Sequence, residues 1–375
     1  MKICIISDIH CSKEKGGTNL FYSNIPDRPI SQNPLSSFLK IMESDPEIKS
    51  DIVICLGDLG HQAYDKGIKI AWDSIERIKN EMNCKIKIGI PGNHDIDSRK
   101  IYNKNPNEYI QNFSLNFPTP VKNLNSKFWA DGFCLYENEN CEILMINTVH
   151  DHKDAESAKI SIINEVTLEN IEDELKMDID KVKLCILHHH PIKHTDISNW
   201  NDTDSLEKGD KLLALLNRFN YDIVIHGHKH QPRVCELNGL TILAAGSFSC
   251  FENLQATGTS TMFHIVDIEG QGKGKILSWE FNYQKGWAKN QNHNFPPEIG
   301  FGETKDINLI ANEINQLFAK NLNKPLLYEK IINEIPELSY IIPEKLIRLR
   351  NILNTRYNLF MEPNFPLKPY IITSN

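Results

Sequence analysis

Apolar positions along the first two-thirds of the chain follow two alternating patterns. One is the short unbroken run: Ile3-Cys4-Ile5-Ile6, Ile52-Val53-Ile54-Cys55-Leu56, Ile86 to Ile90, Leu184 to Leu187 and Ile223-Val224-Ile225. Such runs, rich in β-branched residues, predict strands covered on both faces. The other is helical spacing, seen in Ile68, Ala71, Trp72, Ile75, Ile78 and Met82. Leu168, Ile171 and Leu175 repeat it, as do Leu212, Leu213, Leu216 and Phe219. Strand and helix in alternation predict a layered α/β fold.

Later the rhythm becomes antiparallel. Val234 to Leu237, then Asn238-Gly239, then Leu240 to Ala245 predicts a hairpin, because Asn-Gly suits a type I′ turn. Met262 to Ile268 and Lys275 to Phe281 flank the glycine-rich Glu269 to Gly274, and Phe133 to Tyr136 pairs similarly with Glu142 to Ile146. These elements are expected to build a second sheet packed on the first. Asn290 to Gly302 is rich in Asn, Pro and Gly and reads as a linker. Beyond it, Ile307, Ile310, Ile314, Leu317 and Phe318 form a helical stripe, and Pro343 suits the first turn of another helix. The expected division is a main α/β domain over 1–289, a linker over 290–303 and a helical extension over 304–375.

Composition narrows the class of protein. With 375 residues the chain can bury one large core. A net charge of −8 provides no global attraction to nucleic acid or to an anionic membrane. Residues 304–375 are locally basic, and Lys345, Arg348 and Arg350 beside Leu346, Leu349 and Leu353 are the one candidate phosphate track. Nine scattered cysteines, never spaced Cys-x-x-Cys, read as small hydrophobes in a reducing compartment. The run Ile3 to Ile6 is too short for a signal-peptide core, and no stretch has the length of a membrane span, so the expected location is cytoplasmic.

The chemistry lies where the apolar runs stop. Asp8-Ile9-His10, Gly57-Asp58, Gly92-Asn93-His94-Asp95, His188-His189-His190-Pro191 and Gly227-His228-Lys229-His230 each follow or end a predicted strand. Singly, an Asp-x-His or a Gly-Asp is an ordinary turn. Together, five such loops would deliver imidazole, carboxylate and amide oxygen to the carboxyl rim of a sheet, where sites form in α/β folds. That donor set, without thiolate, suits Mn, Fe, Zn, Co or Ni. Asn147-Thr148 follows another strand and is at most a neighbour.

This ordered motif set resembles the calcineurin-like metallophosphoesterase superfamily over roughly residues 1–285. The resemblance implies a four-layer αββα sandwich, two mixed sheets flanked by helices, with two divalent transition-metal ions at the strand ends and Mn as the expected occupant. By position, Asp8, His10, Asp58 and His230 would hold one metal, and Asp58, Asn93, His189 and His228 the other. Asp58 would then be the bridging carboxylate that two dications about 3.5–4 Å apart require. The family spacing selects His189, two residues before Pro191, with His188 the competitor. His94 would donate a hydrogen bond to phosphate, and Asp95 would fix its tautomer. His61, His150 and His152 read as loop histidines, His226 as packed, and His190 as a candidate for the cleft.

The implied reaction is hydrolysis of a phosphoester by metal-activated hydroxide. Relatives acting on phosphoprotein monoesters carry arginines in the second motif and before Gly-Asn-His, whereas this chain reads Gly57-Asp58-Leu59-Gly60-His61-Gln62 and Ile90-Pro91-Gly92-Asn93. Without that bidentate clamp, the expected substrate is a small phosphodiester or nucleotide. A DNA or RNA nuclease is the alternative. A third reading makes residues 304–375 a homo-oligomer or protein-partner contact. Gly16 to Pro34, polar and rich in proline, is a candidate lid.

Overall fold

A computed structural model describes residues 1–14, 20–23, 29–177, 180–193, 204–250, 261–270, 272–289, 295–322, 324–362 and 371–374. The first sheet is built from β1 (Lys2–Ile6), β2 (Ile52–Cys55) and β3 (Ile86–Gly89), all parallel. The second begins with β4 (Phe133–Glu137), β5 (Cys141–Ile146), β6 (Val182–Leu187) and β7 (Ile223–His226) and continues through β8 (Arg233–Leu237) and β9 (Leu240–Ala244). The chain then returns to the first sheet as β10 (Met262–Gly270), β11 (Lys273–Asn282), β12 (Gly286–Lys289) and β13 (Glu298–Phe301). Strand order is β12-β11-β10-β1-β2-β3 in the first sheet, with β13 also on β11, and β4-β5-β6-β7-β9-β8 in the second. Strands β5, β6, β7 and β9 are parallel, with antiparallel edges at β4 and β8.

Strand alternation divides the apolar side chains between layers. Ile52, Ile54 and Leu56 lie in the core between the sheets with Leu184, Ile186, Ile223 and Ile225. Val53 and Cys55 point the other way, onto helix Asp65–Glu81, whose Ile68, Ala71, Trp72, Ile75 and Ile78 are buried. Cys185, Leu187 and Val224 face helices Glu165–Glu174 and Gly209–Arg218 on the far side of the second sheet. Each large aliphatic side chain removed from water in this way contributes about 1.5–3 kcal/mol. The expected two-sheet, four-layer α/β architecture is therefore present.

The Asn238-Gly239 hairpin forms as read, with φ of 52° and 93° at its two central residues, the left-handed pair that a type I′ turn needs. All nine cysteines are buried, and none is in a disulfide. Among the described residues no helix is long and apolar enough to cross a membrane.

Three expectations about the second half differ from the structure. Met262–Gly270 and Lys273–Asn282, expected in the second sheet with the other antiparallel elements, instead extend the first sheet from the edge of β1. Of the linker 290–303, residues 290–294 lie outside the described residues, and Glu298–Phe301 is a strand with Ile299 and Phe301 buried. Its alternation is obscured in the sequence by the surrounding Asn, Pro and Gly. The extension is not wholly helical either. Helices Ile307–Lys320, Tyr328–Glu334 and Pro343–Tyr357 pack with β14 (Leu326–Leu327), β15 (Leu359–Glu362) and β16 (Ile371–Ser374), ordered β14-β16-β15. Ile310, Ile314, Phe318, Ile331, Leu349 and Leu353 form a separate core there. The unit is tied to the sandwich by the Glu303 N–H, which donates to Tyr340 O at 3.2 Å, and by Lys345 paired with Glu236 at 2.8 Å.

Candidate metal centre

The parallel strands β1, β2 and β3 end on one rim, and β6 and β7 end opposite them across the inter-sheet core. At that rim the backbone turns abruptly. Asp8, His10, Asp58, His228 and His230 all have positive φ, between 47° and 77°. A non-glycine residue in the left-handed region costs of order 1–3 kcal/mol, and such strain collects at functional sites. The conformation is held by hydrogen bonds between loops: Asp8 N–H to Gly57 O at 3.0 Å, His10 N–H to Asp58 O at 2.8 Å and Gly227 N–H to His188 O at 3.1 Å. Gly92 is needed for close approach, since a Cβ there would lie 2.2 Å from Asp58 Oδ1 and 2.5 Å from Asp58 N.

Two donor groups result, and they meet at one oxygen. In the first, His10 Nε2 lies 3.0 Å from His230 Nε2, 3.9 Å from Asp8 Oδ1 and 3.5 Å from Asp58 Oδ2, with His230 Nε2 3.3 Å from Asp8 Oδ1. In the second, Asn93 Oδ1 lies 3.1 Å from His188 Nε2 and 3.0 Å from His228 Nδ1, while His188 Nε2 is 3.4 Å from Asp58 Oδ2. Metal–ligand bonds of roughly 2.0–2.2 Å place neighbouring donors about 3.0–3.5 Å apart, so the side chains already stand at ligand spacing. Asp8, Asp58 and His188 are 1% exposed or less.

The electrostatics point the same way. Burial pushes the Asp8 carboxyl up, but His230 and His188 outweigh it and hold it at about 2. Burial also works against the Asp58 anion, yet His188, His94 and His10 keep it well below the ordinary carboxylate range. Burial disfavours a charge on His188, but Asp58 raises that imidazole to about 9. His230 is raised in the same way, Asp8 overcoming burial. Protons on these two histidines supply the positive charge that two buried carboxylates demand, and metal ions would supply it in their place.

The three consecutive histidines have different neighbours, and His188 is the one in contact with both Asp58 and Asn93. His188 follows Leu184 and Ile186 on the inter-sheet face and so points at Asp58. Its Nδ1 lies 2.7 Å from Leu56 O, and since a carbonyl only accepts, Nδ1 carries the proton and Nε2 faces the donor group. His189, expected at this place, follows Cys185 and Leu187 in strand parity, yet one of its ring nitrogens stands with those of His188 and His228 in a group that could also hold a metal. His189 Nδ1 meets Thr148 Oγ1 at 2.8 Å, with the His228 ring 4.4 Å away. His190 is buried with its ring stacked at 5.8 Å on His228. His226 is buried as expected.

Asp95 also differs from its expected role. Its two oxygens accept from Gly60 N–H at 2.8 Å and Gly92 N–H at 2.9 Å, tying the second and third loops together. Burial and the Asp58 charge raise its carboxyl to about 7 in spite of those bonds. The His94 tautomer is set elsewhere. The Gln62 N–H points at His94 Nδ1 at 3.4 Å, so Nδ1 accepts and Nε2 is the donor. His61 is half-buried, stacked on His94 at 5.4 Å, and not a solvated loop residue. His152 is buried near His189, whereas His150 bonds to Trp129 O away from the donors.

Sequence reasoning missed the residues behind Asp8. Ser7 Oγ donates to its carboxylate, Ser247 Oγ to its carbonyl at 2.7 Å, and Ser249 Oγ to Ile9 O. Ser247 and Ser249 follow β9, which is parallel to β7 and so ends at the same rim; that placement is the signal that could have found them. Of the candidate lid, residues 16–19 and 24–28 lie outside the described residues, and Leu20, Phe21 and Tyr22 are buried beside this segment.

Comparison with known proteins completes the picture. The profile of the calcineurin-like phosphoesterases matches residues 1–232. No curated protein sequence matches the chain. Solved structures with similar coordinates include a dimetal phosphatase from Danio rerio, 12% identical, covering 75% of this chain and 98% of that one, TM-score 0.48. Purple acid phosphatase PPD1 from yellow lupin is 14% identical, covering 76% and 52%, TM-score 0.49. Wild-type Vps29 from Entamoeba histolytica, complexed with zinc, is 14% identical, covering 75% and 92%, TM-score 0.36. With a family profile spanning more than half of its length and the family's ordered ligand motifs gathered at one rim, this chain belongs to the calcineurin-like phosphoesterases.

Proposed function

We propose that the protein is a dinuclear-metal phosphodiesterase acting on a small diester. The observation that carries the proposal is Asp58 Oδ2, which lies within 3.5 Å of His10 Nε2 and 3.4 Å of His188 Nε2 and so belongs to both donor groups. Asp8, His10, Asp58 and His230 would hold one ion, and Asp58, Asn93, His188 and His228 the other; His188 takes the place first expected for His189. When bound, such a pair supplies Lewis acidity and activates water.

The chain's own residues do the remaining work. His228 is oriented through its backbone N–H, 3.2 Å from both Asp8 oxygens, and the His94 N–H is fixed at 2.7 Å on Asp58 Oδ1. His94 Nε2–H then faces the cleft as a hydrogen-bond donor to a phosphoryl or leaving-group oxygen. His94 and His61 are the donors beside the metal ligands on these loops, where arginines would otherwise grip a dianion. An imidazole pair matches the single negative charge of a diester better than the two charges of a monoester.

Two of the three cations on which the nuclease alternative rests are engaged within the chain: Lys345 pairs with Glu236 of the second sheet, and Arg350 Nη2 donates to Met361 O at 2.6 Å, which favours the small-diester reading.

The test is a direct competition of substrates. With Mn²⁺, the purified chain should cleave bis(4-nitrophenyl) phosphate with a kcat/KM at least about tenfold above that for 4-nitrophenyl phosphate, about 1.4 kcal/mol of transition-state preference. The reverse order would refute the diester assignment while leaving the metal site standing.

A further inference from the structure

A cleft of about 360 Å³ has Asn93 and His94 in its lining and so adjoins the metal donors. Its lining includes the apolar Ile96, Ile101 and Ala158 and the cations Arg99 and Lys159. Ile101 is 63% exposed, an apolar side chain open to a passage that leads to the donor group. The loop that bears it is built, not slack. Buried Asp97 accepts the N–H groups of Ile101 at 2.8 Å and of Tyr102 and Asn103 at 2.7 Å each, closing a turn around its carboxylate. That turn carries both Arg99 and Ile101, which line the cleft.

The two cations are not equivalent. Lys159 Nζ lies 2.8 Å from both Glu156 oxygens, so its charge is largely satisfied. Arg99 has no ion pair or hydrogen bond from its guanidinium among the described residues. An arginine without a partner among the described residues, beside apolar side chains and near the histidine proposed to donate a hydrogen bond to the phosphoryl group, presents a planar fork to an anion entering from the metal centre.

We infer that this cleft takes the leaving group of the substrate, and that the leaving group carries an apolar body and a second anionic group bound by Arg99. The inference rests on the diesterase reading above and narrows it. The substrate would not be a bare dialkyl diester. It would be a phosphodiester whose departing alcohol bears a carboxylate or a further phosphate on an apolar frame. His94 sits at the junction, where its Nε2–H meets the departing oxygen while Arg99 binds the distal anion.

The experiment compares two esters that differ only in the departing phenol, methyl 4-nitrophenyl phosphate and methyl 3-carboxy-4-nitrophenyl phosphate, with the Mn²⁺-loaded full chain. The reading is the ratio of the two kcat/KM values, corrected for uncatalysed rates. Wild type should favour the carboxylated ester by about five- to tenfold at low ionic strength, since a partly exposed charge pair is screened by solvent. Arg99→Gln should bring the ratio to about one, whereas a general folding defect would lower both rates and leave the ratio in place. Cleavage of both esters with an unchanged ratio in the variant would overturn this inference and leave the diesterase reading intact. If wild type cleaves neither ester, both fall together.

Discussion

Asp58→Asn should lower phosphoesterase turnover by more than about a hundredfold and leave fewer than two metals bound per chain. Loss of residues behind metal ligands already costs roughly 10–100-fold in affinity or activity, and Asp58 stands in front. The substitution is chosen to keep the shape of the site. An asparagine oxygen can still accept the His94 N–H that Asp58 Oδ1 accepts at 2.7 Å. At the other position an amide nitrogen would replace Oδ2, which faces His10 and His188. A donor there cannot ligate, and the negative charge shared by two dications is gone. Metal analysis and turnover on a diester give the result, with circular dichroism as the check that the fold persists. A variant with two metals and full activity would refute the bridging role.

The second large effect separates His188 from His189. His188→Ala should weaken metal binding by more than about a hundredfold, as expected on losing a direct ligand when outer partners alone are worth roughly 10–100-fold. It also strips Leu56 O of its partner, a buried carbonyl whose loss of a hydrogen bond costs about 1–3 kcal/mol. His189→Ala removes a ring bonded to Thr148 and should change metal affinity less than about tenfold, the scale of a residue behind a ligand. Titrating Mn²⁺ or Zn²⁺ into each metal-free variant, with its melting curve recorded beside it, decides between them. The opposite ranking would return the ligand role to His189.

That contrast shows what was and was not legible in the sequence. Strand runs such as Ile52 to Leu56, the Asn238-Gly239 turn and the polar residues at the ends of apolar runs need only local periodicity. They predicted two sheets and the rim, but not that Met262–Gly270 and Lys273–Asn282 join the first sheet, because an antiparallel pair carries no local mark of the sheet it extends. Choosing between His188 and His189 needs the parity of β6 relative to the other sheet, and parity is a tertiary fact. Leu184, Cys185, Ile186 and Leu187 are all apolar because both faces of the strand are covered, so no alternation marks which side is which. The left-handed backbone at Asp8, His10 and His230 is likewise silent, since these residues carry no glycine to announce it. Asp95 lies next to His94 in sequence, but its carboxylate is drawn to the Gly60 and Gly92 N–H groups by the closeness of two distant loops. The strand Glu298–Phe301 was hidden by its Pro- and Gly-rich flanks, and the β14-β16-β15 sheet by segments of two to four residues.

The His188 Nδ1–H bond to Leu56 O passes from one sheet to the other, and each proposed ion draws ligands from both. Asp8, His10, Asp58 and Asn93 belong to the strands of the first sheet, His188, His228 and His230 to those of the second. An ion bound there acts as a rivet through the sandwich. Any free energy of metal binding is then also free energy of holding the two halves together, by RT ln(1 + [M]/Kd) for each site that the unfolded chain lacks. The cell's free metal level would therefore set how long the folded enzyme survives as well as how fast it turns over.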